Sequence, residues 1–414
     1  MTRTALAITS FLLSVPLAFT CLAEQKIQNQ IITALNSETT LNRIEYLNQI
    51  STDSAWTKLK LKKMLKQGQF HPLIPKIVQR LTVLQGLDVE IDLPPIKQGN
   101  LYSHRLKWAV IAFQKRHGLK PDGIIGRRTI AWLNVSPKRR AELLDRNMER
   151  QHHFFENVSD SYLLVNIPQF QLSLIEQGQK VLNSRVIVGK NKRPTPEIQA
   201  HIKNVVLNPA WNVPRTIIDK DILPKIRDNN NYLAERNYEV YDYSGNQLEL
   251  NNFDWSNLAT GEFPYRLRQK PGPSNALGRV KFYFDNDQAI YLHDTQNKRL
   301  FNRYERAFSS GCVRVEKADE LANWFGEQRV ISKKHWRKAK KDPYLNQWLR
   351  LNEPLPVHLV YWTAWLDKSN NAQFRTDIYK KDREQYEVHD HNSTQLVDKK
   401  IPPKAENIAI SLKS

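Results

Sequence analysis

Two residues in this sequence have the types and the spacing for nucleophilic chemistry. Cys312 stands in the run Ser309-Ser310-Gly311-Cys312-Val313-Arg314-Val315, and His293 stands nineteen residues earlier in Ile290-Tyr291-Leu292-His293-Asp294-Thr295. A thiol attacks as its thiolate, and an imidazole beside it can hold or take the proton. Gly311 allows a tight turn in which the amides of Gly311 and Cys312 would face a developing oxyanion. Arg314 has two readings of equal weight: a contact to a substrate carboxylate, or an ion pair that fixes its loop. Together these groups can carry acyl transfer through a cysteine.

The elements around the pair must bring it together. Ile290 to Thr295 reads as a strand entering a loop, so Tyr291 and His293 share one face while Ile290 and Leu292 turn to the core. Asp294 faces the other way, which leaves a backbone carbonyl as the expected partner that orients His293. After Cys312, Ala318, Leu321, Ala322 and Phe325 recur at helical spacing, with Gly326 where a C-cap would be. That layout puts Cys312 close to a helix N-terminus, whose partial positive charge favours a thiolate. Further strands are expected at 162–167, 185–188, 205–207, 281–284, 289–293 and 357–362. Residues 215–265 are polar and rich in Asn and Asp, with helical pieces around Ile217–Ile226, and read as an insertion between strands.

Upstream the periodicity is helical. Residues 24–75 read as a lead-in. Residues 76–135 read as a compact unit: Ile77, Leu81 and Leu84 mark one helical face, and Leu106, Ala109, Val110 and Phe113 another. A Pro-containing loop, 88–100, lies between them, and a short helix from Arg127 to Leu133 follows the turn glycines Gly123 and Gly126. Lys138 to Glu149 reads as a helix within a connector, 136–160. The tail, 383–414, is charged, apolar-poor and expected to be flexible.

With 414 residues, 40% of them hydrophobic, two or three domains are expected. The first 23 residues read as a secretory signal: Arg3, an apolar stretch from Leu6 to Phe19, then Cys21 and Ala23 at the small positions of a cleavage site. Left uncleaved, this segment would serve as an inner-membrane anchor. Cleavage removes one of two cysteines and leaves Cys312 as a lone thiol in an oxidising compartment, which excludes a disulfide scaffold. The net charge of +20 calls for an anionic partner, and export makes nucleic acid the wrong one. The basic run Lys333–Lys341 reads as a solvated face. Neither His152-His153 nor His389-Asp390-His391 has further ligands at plausible spacing, so no metal or other cofactor is expected.

Two stretches of text resemble known families. Ala112-Phe113-Gln114, His117-Gly118-Leu119, Asp122-Gly123-Ile124-Ile125-Gly126 and Thr129 resemble the small three-helix peptidoglycan-binding module of cell-wall enzymes. His293-Asp294-Thr295, Leu300-Phe301-Asn302-Arg303 and Ser309-Ser310-Gly311-Cys312-Val313-Arg314 resemble the catalytic signature of the L,D-transpeptidases. The segments 208–214, 268–273 and 357–365 extend that likeness to the large Gram-negative branch, over roughly residues 76–382. One departure stands out: Ser310 occupies the place of a His in the widespread pattern, a change that looks typical of this branch. The His-before-Cys order also separates the chain from papain-type peptidases.

The resemblance implies a multidomain α+β protein. Its parts are a β-rich mixed-sheet catalytic domain, 161–382, with a helical capping insertion, and the small three-helix module. It implies that Cys312 attacks the amide between meso-diaminopimelate and the terminal D-alanine of a tetrapeptide stem, with His293 as the proton carrier. A thioester forms, D-alanine leaves, and a neighbouring diaminopimelate amine collects the acyl group as a 3→3 cross-link. Gly311 and Cys312 amides, with Tyr291, would hold the oxyanion; Ser310, Arg314 and Trp211 would contact substrate, Trp211 at the edge of the cap. Hydrolysis, or transfer to a protein lysine or a D-amino acid, fits the same chemistry, and a non-catalytic wall-binding protein is the reading from another class. Partners are then stem peptides and glycan in the periplasm, with the inner-membrane surface as a second anionic neighbour and a monomer as the expected state.

Overall fold

The structure, a computed structural model, describes residues 37–51, 56–85 and 99–382. The expected signal segment, the start of the lead-in, most of the 88–100 loop and the tail with His389 and His391 lie outside the described residues. The described residues up to Tyr379 belong to one unit.

The helical module forms where the spacing predicts it. Helices Ile74–Gln85, His104–Arg116 and Arg127–Leu133 bury Ile77, Leu81, Leu106, Ala109, Val110, Phe113, Ile130 and Leu133 in one core. Ser103 caps the second helix by accepting from the Leu106 N–H. Leu59 and Leu65 join this core, so part of the expected lead-in packs into the module. The connector helix runs Pro137–Asn157, longer at both ends than its apolar spacing suggested, with Ser136 as N-cap and Pro137 in the first turn. His152 lies on it, paired with Glu156 at 3.4 Å.

Among the described residues fifteen strands follow: β1 Tyr162–Asn166, β2 Gln171–Glu176, β3 Gln179–Gly189, β4 Ile198–Leu207, β5 Trp211–Asn212, β6 Tyr238–Tyr241, β7 Gln247–Leu248, β8 Arg266–Gln269, β9 Val280–Phe284, β10 Leu292–His293, β11 Ala307–Ser309, β12 Val313–Val315, β13 Gln347–Val360, β14 Ala364–Leu366 and β15 Ala372–Phe374. Nine form one mixed sheet in the order β11-β3-β12-β10-β9-β4-β13-β1-β2, and β2 also pairs with β3. That last pairing rolls the sheet toward a barrel, which removes exposed edges. One face carries Val186, Val188, Val205, Val280, Phe282, Leu292, Val313 and Val315, closed by Ala318, Leu321, Ala322 and Phe325 of the helix Ala318–Gln328.

Four expectations change here. The helix after Cys312 does not follow at once: β12 intervenes, because Val313 and Val315 are core strand residues, and the helix starts at Ala318. Gly326 lies inside that helix rather than at its C-cap; a Cβ there would sit 2.0 Å from Trp336 Cε2, so the glycine makes room for the indole. The strand expected from Ala289 shrinks to β10, with Ala289 at φ +53° in the preceding turn. The insertion is not purely helical. Its short helices, among them Leu223–Asp228 and Trp255–Leu258, share a core of Ile222, Ile226, Val240, Trp255, Phe263 and Leu267 with a four-stranded sheet, β5-β8-β6-β7.

Candidate active site

The site is a row across the sheet. His293 on β10 stands opposite Lys281 on β9 and opposite Arg314 on β12. Residues opposite one another share a face, and this is the face turned away from the core that Val280, Phe282, Leu292 and Val313 fill. Tyr291 joins the row from the residue before β10, its ring centroid 5.6 Å from that of His293. Cys312 directly precedes β12, and the Val313 N–H bonds the Tyr291 carbonyl at 3.1 Å, which fixes the cysteine beside the tyrosine. The half-buried Cys312 Sγ donates to the Ala289 carbonyl at 3.8 Å.

The loop that presents Cys312 is tightly held. Gly311 adopts φ +118°, and a Cβ there would meet Ile290 Cδ1 at 3.1 Å, so the turn requires glycine. Its carbonyl accepts from Thr195 Oγ1 at 2.6 Å, and Thr195 Oγ1 in turn accepts from the Gly189 N–H at 2.8 Å. Tyr379 closes the other side: its hydroxyl donates to the Gly189 carbonyl at 2.6 Å and accepts from the Thr195 N–H at 3.1 Å. The Gly311 N–H donates to Ser309 Oγ at 3.2 Å, so it is engaged rather than open to an oxyanion. Among the described residues the Cys312 N–H has no acceptor.

Electrostatics differ from expectation at the thiol. Burial pushes the Cys312 thiol up, while the Tyr291 N–H and hydroxyl, Lys281 and Arg314 pull it back down. The helix that follows in the chain begins only at Ala318, beyond β12, so Cys312 does not sit at its N-terminus. His293 is pushed down to about 3 by burial first and then by Arg314, with Lys281 adding to the effect. The imidazole is therefore neutral at ordinary pH, and the burial and cations around it disfavour its protonated form. The carbonyls of Asp294 and Leu277 face it, yet Nδ1 closes no hydrogen bond. Asp294 turns away, as alternation requires, and accepts from the Arg279 N–H and from Lys298.

The remaining residues singled out in the sequence fall around this row. Arg314 is half-buried, its Nε without a partner, and its guanidinium is pulled down by burial. Ser310 Oγ accepts from Arg193 at 2.7 Å, and Arg193 also pairs with Asp221 of the cap. Trp211 packs on the cap core, its buried Nε1 without a good partner and directed at the Tyr291 hydroxyl. Lys281 and Arg193 were missed by the sequence reasoning. For Lys281 there was a signal: a lone cation between Val280 and Phe282 must face away from the core. For Arg193 there was none, because its contacts span 28 and 117 residues.

Residues 160–332 match the family described as "L,D-transpeptidase catalytic domain", and residues 72–133 match "Putative peptidoglycan binding domain". A "Putative L,D-transpeptidase" of Haemophilus influenzae is 42% identical over 226 residues, which cover 54% of this chain and 45% of that protein. The match thus spans less than half of that relative's length. Among solved structures, the L,D-transpeptidase of Xylanimonas cellulosilytica aligns at 14% identity over 73% of this chain and 100% of that one, with a TM-score of 0.23. The ertapenem-acylated catalytic domain from E. faecium aligns at 12% identity over 40% and 89%, with a TM-score of 0.22.

Proposed function

We propose that this chain, whose residues 160–332 match an L,D-transpeptidase catalytic domain and residues 72–133 a putative peptidoglycan binding domain, is a cysteine acyltransferase that makes 3→3 cross-links between wall stems in the periplasm. The observation that carries this reading is the row Lys281–His293–Arg314 with the Cys312 thiol at its edge: a neutral base, a confined thiol and unpaired cations on one face. His293 takes the thiol proton as Sγ attacks the carbonyl between diaminopimelate and D-alanine. The Cys312 N–H and the Tyr291 hydroxyl face the oxyanion, and removing one such donor typically costs about 10²–10³ in rate. As the C–N bond breaks, His293 returns the proton to the leaving amine, and the thioester remains. The side-chain amine of a second stem then attacks, an amide forms, and Sγ leaves with a proton from that amine through His293.

The test compares muropeptides from cells expressing the wild-type protein and Cys312→Ala. Cross-linked 3→3 dimers should appear with the wild type alone. Equal dimers in both, or tripeptides accumulating with no dimers, would sink the transferase reading; the second outcome would assign hydrolysis instead.

A further inference from the structure

Lys281 is the member of the row to which the reaction above gives no role. Its Nζ lies 4.0 Å from the centroid of the Tyr291 ring, with the Tyr283 and Trp348 rings at 5.4 and 6.0 Å. Aromatic faces hold an ammonium through their quadrupole but accept none of its N–H donors well. Among the described residues no carboxylate pairs with it: its charge feels burial first and then only Cys312. Arg314, the second cation, is in the same condition, half-buried with Nε unbonded. Two strand spacings, roughly 10 Å, separate their backbones, and side chains of this length converge over such a gap. Half-buried cations without counter-charges or acceptors are costly in a resting protein, and other buried cations of the chain are answered, Arg193 by Asp221 and Arg140 by the Val135 and Trp132 carbonyls.

We propose that Lys281 and Arg314 form a two-point clamp for a carboxylate of the acyl donor, next to the carbonyl that Cys312 attacks, with Lys281 as a substrate-binding residue. The identity of the donor rests on the reading above; the anion preference does not. Lys281 draws the carboxylate from the β9 side and Arg314 from the β12 side, which fixes the direction in which the peptide crosses Sγ. Small donors without a charge at that position lose this alignment.

Alkylation of Cys312 tests the clamp without any stem peptide. Iodoacetate and iodoacetamide transfer similar groups to the same sulfur, but only the first is an anion. Their rate ratio at Cys312, read by mass of the Cys312 peptide, cancels changes in thiol ionisation. Lys281→Gln should lower the iodoacetate-to-iodoacetamide ratio about tenfold, the weight of one charge-assisted hydrogen bond. Lys281→Arg should keep most of the preference, and Arg314→Gln should lower it independently. A ratio unchanged in Lys281→Gln, in protein that melts like the wild type, overturns the proposal; so does an equal fall in Lys281→Arg. Wild-type protein that makes no cross-link but keeps the ratio removes the acyl-transfer reading alone. A flat ratio alongside normal cross-linking removes the clamp alone.

Discussion

Two histidines of this molecule are equally deep and differently built. His117, in the helical module, and His293, in the sheet, are 3% and 5% exposed. Both are pushed down by burial first and then by a neighbouring arginine, Arg140 for one and Arg314 for the other. Around His117 every group is answered. Nδ1–H donates to the Phe113 carbonyl at 2.6 Å, and Nε2 accepts from Arg140 Nη1 at 2.7 Å. The ring stacks on Phe113 and Phe374, and Arg140 satisfies the carbonyls of Val135 and Trp132. Around His293 the shell is open: Nδ1 and Arg314 Nε are both buried and unbonded. Burial is shared, so burial does not distinguish structure from chemistry. Closure of the hydrogen-bond shell does, because an unanswered buried donor or acceptor costs about 1–3 kcal/mol and persists where another role requires it.

That contrast breaks if the two histidines respond alike to substitution. His293→Gln should cut transfer by about 10²–10⁴, the usual weight of a positioned acid–base group, while the melting temperature moves little, since Nδ1 has no formed hydrogen bond to lose. Single-turnover acylation beside a thermal melt separates the two readouts. Arg140→Ala should do the reverse. It strands His117 Nε2 and two carbonyls in the core and should cost about 3 kcal/mol in urea unfolding, with turnover per folded molecule preserved. Equal stability loss in both variants would make His293 a second structural histidine.

The asymmetry between these regions also marks how much the sequence could show. The module is legible because its contacts are local: Ile77 and Leu81, or Leu106, Val110 and Phe113, announce their faces within one helix. At the site, alternation alone pairs Tyr291 with His293 and turns Asp294 away. What alternation cannot give is register across strands. Lys281 meets His293 only through the β9–β10 pairing, and Arg314 meets it only through β10–β12. The expected helix terminus beside Cys312 failed for a related reason: Val313–Val315 is too short for a period-2 signal but is held between β10 and β3. Within the insertion, Ile217–Ile226 is helical in turns as expected, whereas Tyr238–Tyr241 alternates buried and half-buried over only four residues.

Acid acts on both histidines in the same direction. His293 titrates at about 3 in the folded chain and near 6.5 when unfolded, and His117 is also held below its usual value. Between those limits the unfolded chain binds more protons, so stability rises with pH there. The neutral form of His293 thus favours the fold fully above about pH 6.5, and that advantage is lost as the pH falls toward 3; His117 acts in the same direction. Urea titrations from pH 7 to pH 4 should show a shallower decline in His293→Gln than in the wild type. A parallel slope would place the acid sensitivity elsewhere. Gly311→Ala should then cost about 1–2 kcal/mol, because the residue sits at φ +118° against Ile290; the same change should slow acylation more than tenfold by displacing Sγ.

The smallest effect belongs to the link between the cap and the loop that carries Cys312. Arg193 bonds Ser310 Oγ and Asp221 together, and Lys190 stands 3.9 Å from the same carboxylate. Asp221 is 35% exposed, so the pair is partly screened and is worth at most about 1 kcal/mol. Asp221→Asn should therefore leave unfolding within error and lower kcat/KM roughly two- to fivefold, the scale of that energy. Its signature is salt: the difference from wild type should shrink as ionic strength rises from 0.05 to about 0.5 M, because screening removes what the charge supplied. Ser310→Ala breaks the same link through a neutral hydroxyl, and its deficit should not respond to salt. Deficits that respond alike would mean the cap reaches Cys312 by packing rather than through this charge.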